Sequence, residues 1–494
     1  MELTEQKINE IRNRFIEEKK LVESNGHIMS PAAFEALVNE YESYHAISNE
    51  FDEDDMDDAI REAEGLQNLS ERSADAVLIR LSISVVKDFF TDPRAQGKVI
   101  YPIYAVVLVI LIARARGIKK SAEIAWFYAK YNIILQVLIP GLPSPSNHIS
   151  ASTINCIRAM VSAKEMEEFF TCFFGTMKLS LGDLITYNDE KYKHDREGLM
   201  PTYGFDGQEL RSSFRKGSNS RAKKGAIAVT LMNCTSRTAC AFINTHAKNQ
   251  ERTAFIEMAE QVDLKEKVIM CDALNSAQEV TSLIVSKGGF YLAPLKDCQG
   301  NKELKGHVEA IFNRNHARAE TSEFTFKDHG RIENYYIEVL EAAPYLDKRI
   351  KNPHQNICSL VKFTKHCINS GSSETRVYVS NLEYVSGETI RQVRANIIDY
   401  WMIETHHNVI DTSVLAQDSF QACNPNTLSM EVAINKAVYN MSTCLRNELS
   451  LSKGKSTPVS YSFTLNRMSS MRVSRLFEYV IRNYFMNNYE PTKA

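Results

Sequence analysis

A chain of 494 residues is too long for one ordinary core, so two or three domains are expected. Hydrophobic residues at 44% and charged residues at 24% are the proportions of a soluble globular protein, and no repeat or low-complexity tract argues otherwise. The net charge of −3 conceals an asymmetry: residues 1–70 carry a balance of −12 and the remainder +9, which is compatible with a nucleic-acid partner.

The polar start Met1-Glu2-Leu3-Thr4-Glu5-Gln6 has no apolar stretch behind it and does not read as a signal peptide. The 10 cysteines are scattered with no Cys-x-x-Cys pair. That pattern fits reduced thiols in a cytoplasmic protein, with neither a disulfide framework nor a zinc knuckle.

Residues 1–70 read as an acidic helical leader with solvated faces. The run Phe51-Asp52-Glu53-Asp54-Asp55-Met56-Asp57-Asp58 opens its last helix, where carboxylates are favoured by the helix dipole. Residues 71–190 are helical in pattern. Within them Val99 to Ala113 is strongly apolar but contains Pro102, and Arg114 and Arg116 follow directly. A membrane span needs roughly 20 apolar residues, so this segment is expected to be a buried helix. The turn Pro143-Ser144-Pro145-Ser146-Asn147, then a helix from Ser150 to Arg158 with a Ser/Thr-rich start, suits a helix-turn-helix reader. Any helical domain contains such turns, so a purely structural role stays open.

From about residue 200 the pattern changes to strands. Ala226–Met232 and Thr238–Ile243 should pair as a hairpin. A helix follows over Arg252–Val262, then a buried strand over Lys267–Cys271. A helix at Gln278–Lys287 and a strand at Gly289–Leu295 come next. Hairpin strands followed by α/β alternation predict an α/β, RNase H-like domain over 191–494. More strand material at 300–385 (Phe324–Phe326, Tyr335–Leu340, Arg376–Ser380) reads as a β-rich insertion before helices from about 387 onward.

Three acids stand out. Asp206 ends a short apolar stretch in Tyr203-Gly204-Phe205-Asp206-Gly207, and Asp272 follows the strand Val268–Cys271. Carboxylates at the C-terminal ends of strands project to the rim where α/β sheets bind ligands. Glu404, in Trp401-Met402-Ile403-Glu404, lies near the polar edge of a helix. Any one of them alone reads as a solvated or capping carboxylate. Together they would make an oxygen-rich cage for two Mg²⁺ ions about 4 Å apart, suited to in-line phosphoryl transfer. After Asp206, Arg211, Arg215, Lys216, Arg221, Lys223 and Lys224 crowd a Ser/Gly-rich loop and would position a phosphate backbone.

With these residues in view the chain resembles the H-repeat-associated insertion-sequence transposases of bacteria. Phe205-Asp206-Gly207-Gln208-Glu209-Leu210-Arg211-Ser212 resembles the family's Asp-Gly-Lys-x-Leu-Arg-(Gly)-Ser, and Asp272-Ala273-Leu274-Asn275-Ser276-Ala277-Gln278 its Asp-Ala-x-x-x-Gln. Gly288 to Lys296 with Gln299 resembles the strand ending in Lys-x-Asn-Gln, and His329-Gly330-Arg331-Ile332-Glu333 the His-Gly-Arg-Ile-Glu motif. Trp401-Met402-Ile403-Glu404 resembles Trp-x-Ile-Glu. Thr91-Asp92-Pro93-Arg94, Gly97-Lys98 and Tyr101-Pro102 are similar to the accompanying helical domain.

The resemblance spans roughly 85–490. It implies a DDE-type transposase of RNase H-like fold, with Asp206, Asp272 and Glu404 as catalytic metal ligands and Mg²⁺ or Mn²⁺ as cofactor. Lys296 and Arg331 would join the basic loop in binding double-stranded DNA at terminal inverted repeats, in a homodimer or higher assembly at the bacterial nucleoid. The chain departs from the pattern at Asp399-Tyr400-Trp401, where the family reads Arg-His-Trp, and at Asp411, where related enzymes place a lysine. A DNA-binding descendant that no longer catalyses, and a metal-dependent nuclease that cleaves without joining, are the alternatives. His406 and His407, about 100° apart on a helix, cannot both face one ion, so one is expected at the surface. Arg331 and Glu333 are expected to form an ion pair or to contact DNA.

Overall fold

The computed structural model describes residues 27–48, 53–67, 85–139 except 96, and 141–175 except 145 and 146. It also describes 196–245 except 212 and 214–224, 250–297, 301–347 except 329 and 330, 353–452 and 459–488, with 13, 20 and 83 besides. Contacts divide the chain into two units. One comprises Met1–Ile185, Leu210–Ala226 and Asn408–Ala494; the other comprises Thr186–Glu209 and Ile227–His407.

The first unit is helical. Its apolar segment forms the helix Ile103–Ala115, starting after Pro102, whose missing N–H costs nothing at a helix start. Every residue from Ala105 to Ala115 is buried. No helix among the described residues is long and apolar enough to cross a membrane. The charge that ends the apolar run, Arg114, turns inward and meets Glu431 of the helix Pro425–Ser452 at 2.5 Å and Asn435 at 3.3 Å. Arg158 reaches the other oxygen of Glu431 at 3.2 Å.

Arg158 lies on Ala151–Met160, the candidate recognition helix, whose start is capped by Ser150 accepting from the Thr153 N–H at 3.0 Å. With Ile154, Ile157 and Arg158 all buried, that face serves packing and is closed to DNA. Pro145 and Ser146 of the preceding turn lie outside the described residues.

The leader differs from the expected solvated helices. Helix Glu53–Gln67 does begin in the acidic run, with Glu53, Asp54 and Asp55 in its first turn. Its Ala59, Ala63 and Gln67 are buried, as are Leu37, Tyr41 and His45 of helix Pro31–Ser48. The Tyr41 hydroxyl donates to the Lys130 carbonyl at 2.5 Å, and the Lys130 ammonium pairs with Asp55. The small and aromatic residues spaced along each helix give it an apolar stripe despite its charge.

The second unit is mixed α/β around a nine-stranded sheet of order β3-β2-β1-β4-β5-β9-β8-β7-β6. The strands are β1 Thr202–Glu209, β2 Ile227–Asn233, β3 Thr238–Thr245, β4 Val268–Cys271, β5 Phe290–Leu295, β6 Glu320–Asp328, β7 Arg331–Glu341, β8 Ser359–Cys367 and β9 Ser373–Ser380. β1–β2–β3 are antiparallel neighbours, β4 lies parallel to β1, and β5 lies parallel to β4. β6 to β9 form an antiparallel meander, and β9 pairs with β5. The strands predicted at 300–385 therefore extend the main sheet. The helix Lys302–Asn315, which precedes them, was not visible as a separate element in the sequence pattern.

One face of the central strands packs Phe205, Ile269, Tyr291 and Val379 against helices Glu251–Ala259, Gln278–Ser286 and Lys302–Asn315. The other face packs Val268, Met270, Leu292 and Val361 against helix Glu388–Tyr400, through Ile390, Val393 and Ile397. The near-continuous apolar runs of β4 and β5 follow from this coverage on both faces.

Candidate active site

Register decides where the first two acids fall. On its parallel side β1 pairs with β4 up to Phe205↔Cys271, so Asp206 and Asp272 are the next residue on each of two adjacent strands. Asp206 is not at a strand end, as the sequence suggested. β1 continues to Glu209 because Gly207, Gln208 and Glu209 still pair with β2. Only on the β4 side does pairing stop, and there the two carboxylates share an edge.

Each is held by the local backbone. An Asp206 oxygen accepts from the Gly207 N–H at 2.9 Å. Asp272 Oδ1 accepts from the N–H groups of Leu274 (3.0 Å) and Asn275 (2.9 Å), an Asx turn that fixes its rotamer. Burial pushes the Asp206 carboxyl up to about 7. The negative charges of Glu251, Asp272 and Glu404 act in the same direction, and the Gly207 N–H opposes them.

Glu404 arrives from the first turn of helix Met402–Thr412, exposed but close enough for its charge to reach Asp206. The preceding helix is clamped at its C-terminus by Asp399, where the resemblance expects arginine. The buried Asp399 carboxylate takes a two-pronged ion pair from Arg196, at 2.5 and 2.7 Å. It also accepts from the Thr235 hydroxyl at 2.7 Å. The next residue, Tyr400, lays its ring on Gly204. A Cβ at position 204 would stand 3.0 Å from Tyr400 Cδ2 and 3.0 Å from Cys234 Sγ. The departure from Arg-His-Trp thus acts as a structural tie between the helix and the start of β1.

Trp401 is braced from the meander, with the Lys365 ammonium 4.5 Å from its ring centroid. Lys365 in turn pairs with Glu333 at 2.8 Å, and Glu333 also accepts from Tyr335 at 2.6 Å. Glu333, expected to form an ion pair with Arg331 or to contact DNA, is buried and pairs with Lys365, while the side chain of Arg331 lies outside the described residues.

The expectation that one of the two histidines lies at the surface fails. His406 is fully buried, and His407 is half-buried with Nδ1 3.8 Å from an Asp206 oxygen.

Among the expected DNA contacts, Lys296 is exposed just beyond β5. Arg211 is exposed and pairs with Asp418 at 3.5 Å. Arg215, Lys216, Arg221, Lys223 and Lys224 lie outside the described residues, as does the side chain of Arg331. What is described of the basic loop is its closed base. Leu210 N–H donates to the Ala226 carbonyl at 2.8 Å, and Ala226 N–H donates to the Ser213 hydroxyl at 2.7 Å. Gly225 permits this closure, because a Cβ there would stand 2.2 Å from the Leu210 carbonyl oxygen.

Four participants escaped the sequence reading: Glu251, Asn275, Asp399 and Lys365. Asn275 had no signal of its own, since the Asx turn at Asp272 uses its backbone N–H, which any residue but proline supplies. Glu251 had none, being one more acid at the start of a helix.

Oxygen-only donors suit a hard divalent cation, and like charges crowding a buried edge are what such a cation relieves. As placed, however, no three acidic, histidine or cysteine side chains among the described residues are gathered into a ligand cage.

Carboxylates at the edge of a mixed sheet, backed by helices on both faces, define an α/β protein with a chemically equipped rim. The comparisons narrow this: the chain is a distant homologue of the H repeat-associated putative transposases and of YncI. It is 27% identical over 246 residues to "Putative transposase YncI" of Escherichia coli O157:H7, covering 48% of this chain and 60% of that protein. It is 30% identical over 182 residues to the "H repeat-associated putative transposase YhhI" of Escherichia coli K12, covering 36% of this chain and 43% of that protein. The match thus spans about half the length of these relatives. No family model matches the chain. Among solved structures, it is similar to a chain of the piggyBac transposase synaptic complex with hairpin DNA, at a TM-score of 0.35 and 9% identity, covering 84% of this chain and 82% of that one.

Proposed function

We propose that this protein is a DDE-type DNA transposase with an RNase H-like catalytic unit, and that Asp206, Asp272 and Glu404 are its metal-binding carboxylates. The observation that carries this reading is the register. Parallel pairing that ends at Phe205↔Cys271 sets Asp206 and Asp272 side by side, and the charge of Glu404 reaches the same edge. The RNase H-like assignment rests on the strand order β3-β2-β1-β4-β5, with a hairpin pair antiparallel to β1 and two parallel partners after it.

The three carboxylates would hold two Mg²⁺ or Mn²⁺ ions, which supply activation of the attacking oxygen and stabilisation of the leaving one. The chain's own residues do the rest. The Asx turn at Asp272 and the Gly207 N–H at Asp206 hold the acids in place before substrate arrives. The Asp399–Arg196 clamp and the Glu333–Lys365–Trp401 brace fix the helix that presents Glu404. Burial of the edge lowers its effective dielectric and strengthens every charge interaction there. On this reading Lys296, Arg211, Arg331 and the basic loop bind the phosphates of double-stranded DNA at the element's inverted repeats. Two or more copies of the chain assemble there. Strand cleavage uses water as the attacking group, and joining uses the freed 3′ hydroxyl.

A second reading is a DNA-binding descendant that no longer catalyses. It is favoured by the open spacing of the acids and by the commitment of Asp399 to Arg196, which leaves no basic residue in the place the resemblance reserves for one.

The test is Mn²⁺-dependent cleavage and joining of a DNA fragment carrying the element's own ends. Asp206→Asn, Asp272→Asn and Glu404→Gln should each lose on the order of 10³-fold in rate while still binding the DNA. Wild-type protein that binds these ends but cuts nothing establishes the second reading. Cleavage without joining establishes a nuclease.

A further inference from the structure

The helical unit holds a cleft of about 580 Å³ whose residues belong to none of the sequence motifs. It is framed by the C-terminal half of helix Glu53–Gln67 and by the turn that joins helix Tyr461–Ser469 to helix Val473–Asn488. Both walls belong to the one unit. They are tied together by Ser474, whose N–H and hydroxyl both donate to Glu62, at 2.8 and 2.6 Å. Arg61, Arg467, Arg472 and Arg475 line the cleft, with Leu66 and Met471 as its apolar part. None of the lining residues is a lysine or an aromatic.

The acids of the cleft are already engaged. Glu62 stands at the first turn of helix Val473–Asn488, which has no acid of its own there, and so answers that helix's dipole. Glu478 pairs with Arg475, and Arg475 also reaches Glu448 at 3.7 Å. Arg61 pairs with Asp57 and Asp58 on its own helix, at 3.4 and 3.3 Å, where all three are largely exposed. Pairs of that kind contribute little. Arg467 and Arg472 are exposed and have no ion pair among the described residues.

Three guanidinium groups therefore line one concave surface without a firm counter-charge. A concavity lined by one sign of charge focuses its field and draws counter-ions. Arginine offers a planar fork of donors that grips a phosphate by two oxygens, as an ammonium cannot. The lack of aromatic rings argues against a single strand held by base stacking and for contact with the outside of a duplex. The acidic first turn of helix Glu53–Gln67 repels phosphate and confines the contact to the arginine end.

We propose that this cleft is a phosphate-binding site that takes the backbone of duplex DNA, through Arg467 and Arg472 with Arg61 beside them. The inference rests on DNA as the partner and not on the carboxylate chemistry of the sheet edge.

The test is fluorescence anisotropy of the full-length protein on two labelled duplexes of unrelated sequence, across a salt series. Each phosphate contact contributes about 0.9 to the slope of log affinity against log salt. In the double variant Arg467→Ala, Arg472→Ala that slope should become shallower by about 2, equally on both duplexes. The variant Arg467→Lys, Arg472→Lys keeps the charges. It should restore most of the slope while binding more weakly than wild type, a split that a merely structural role would not give. Thermal melting reports whether each variant is folded.

An unchanged slope in the folded alanine variant overturns the proposal. A loss on one duplex alone also overturns it, because that is base readout. Polyglutamate that displaces the duplex as readily as unlabelled duplex of equal charge makes the cleft a site for acidic protein, against the proposal. Pyrophosphate binding that the alanine variant loses, with the DNA slope unchanged, assigns the cleft to a free phosphate ligand and likewise overturns it. Wild-type protein that binds no duplex overturns this inference and the DNA-acting reading together. A protein that binds duplex through these arginines yet cuts nothing leaves this inference standing while the catalytic reading falls.

Discussion

Buried charge is handled in opposite ways in the two units. In the helical unit Glu431 is shared by Arg114 and Arg158, each within 3.2 Å, so opposite charges neutralise one another in a core with no access to water. At the sheet edge Asp206, Asp272, Glu404 and Glu251 gather like charges, and the carboxyl of Asp206 is pushed up to about 7, first by burial and then by these neighbours. The first arrangement is what folding alone selects, because an unpaired buried ion is expensive. The second is unfavourable to the fold, which is what supports the proposal that this edge has a functional role.

Breaking the two arrangements should therefore change stability with opposite sign. Glu431→Ala leaves two buried guanidinium groups uncompensated and should destabilise the protein by about 3–5 kcal/mol in chemical denaturation. Asp206→Asn should do the reverse. The folded-state pKa of Asp206 is raised above the unfolded value, so folded protein holds the proton more tightly between about pH 4 and 7. Stability is accordingly lost as pH rises through that window, and the full penalty stands above it. At pH 8, with chelator present, the asparagine variant should be more stable by on the order of 1–4 kcal/mol. A loss of stability in that variant would make Asp206 an ordinary structural carboxylate.

His354 sharpens the comparison as a buried group held by neutral side chains. It is held by Asn301 at 3.2 Å and Thr281 at 3.3 Å, and burial lowers its pKa to about 4. The unfolded chain takes up the proton first, so stability should be fully present above pH 6.5 and fall as pH drops towards 4. By pH 5 the loss should be about 2 kcal/mol, and His354→Gln should remove that slope from a pH series of melting curves.

The sequence revealed the sheet where local pattern was strong. The β2–β3 hairpin, the apolar β4 and β5, and the helices between them lie within a residue or three of their predicted bounds, because alternation and turn residues act over short distances. It also placed Asp272 correctly, since a strand end followed by a turn is a local signal. What it could not give was partnership. That Asp206 stands mid-strand depends on β2 being longer than β4, and the burial of the leader helices depends on partners distant in sequence. Glu251 lies at the carboxylate edge with Gly207 leaving room for it and Asn275 holding it. None of these facts has a signature within a window of ten residues.

The nine-stranded sheet carries a kinetic consequence. β6, β7, β8 and β9 each pair with a neighbour in sequence, β6–β7 and β8–β9 through short connections, so these hairpins can form early by local zipping. β4 must find β1 in parallel from more than fifty residues away, and β9 must find β5 across the whole meander. Entropy of closure makes such distant pairings late events. The two aspartates are brought together by the β1–β4 pairing, so the carboxylate edge is expected to be among the last parts of the sheet to form.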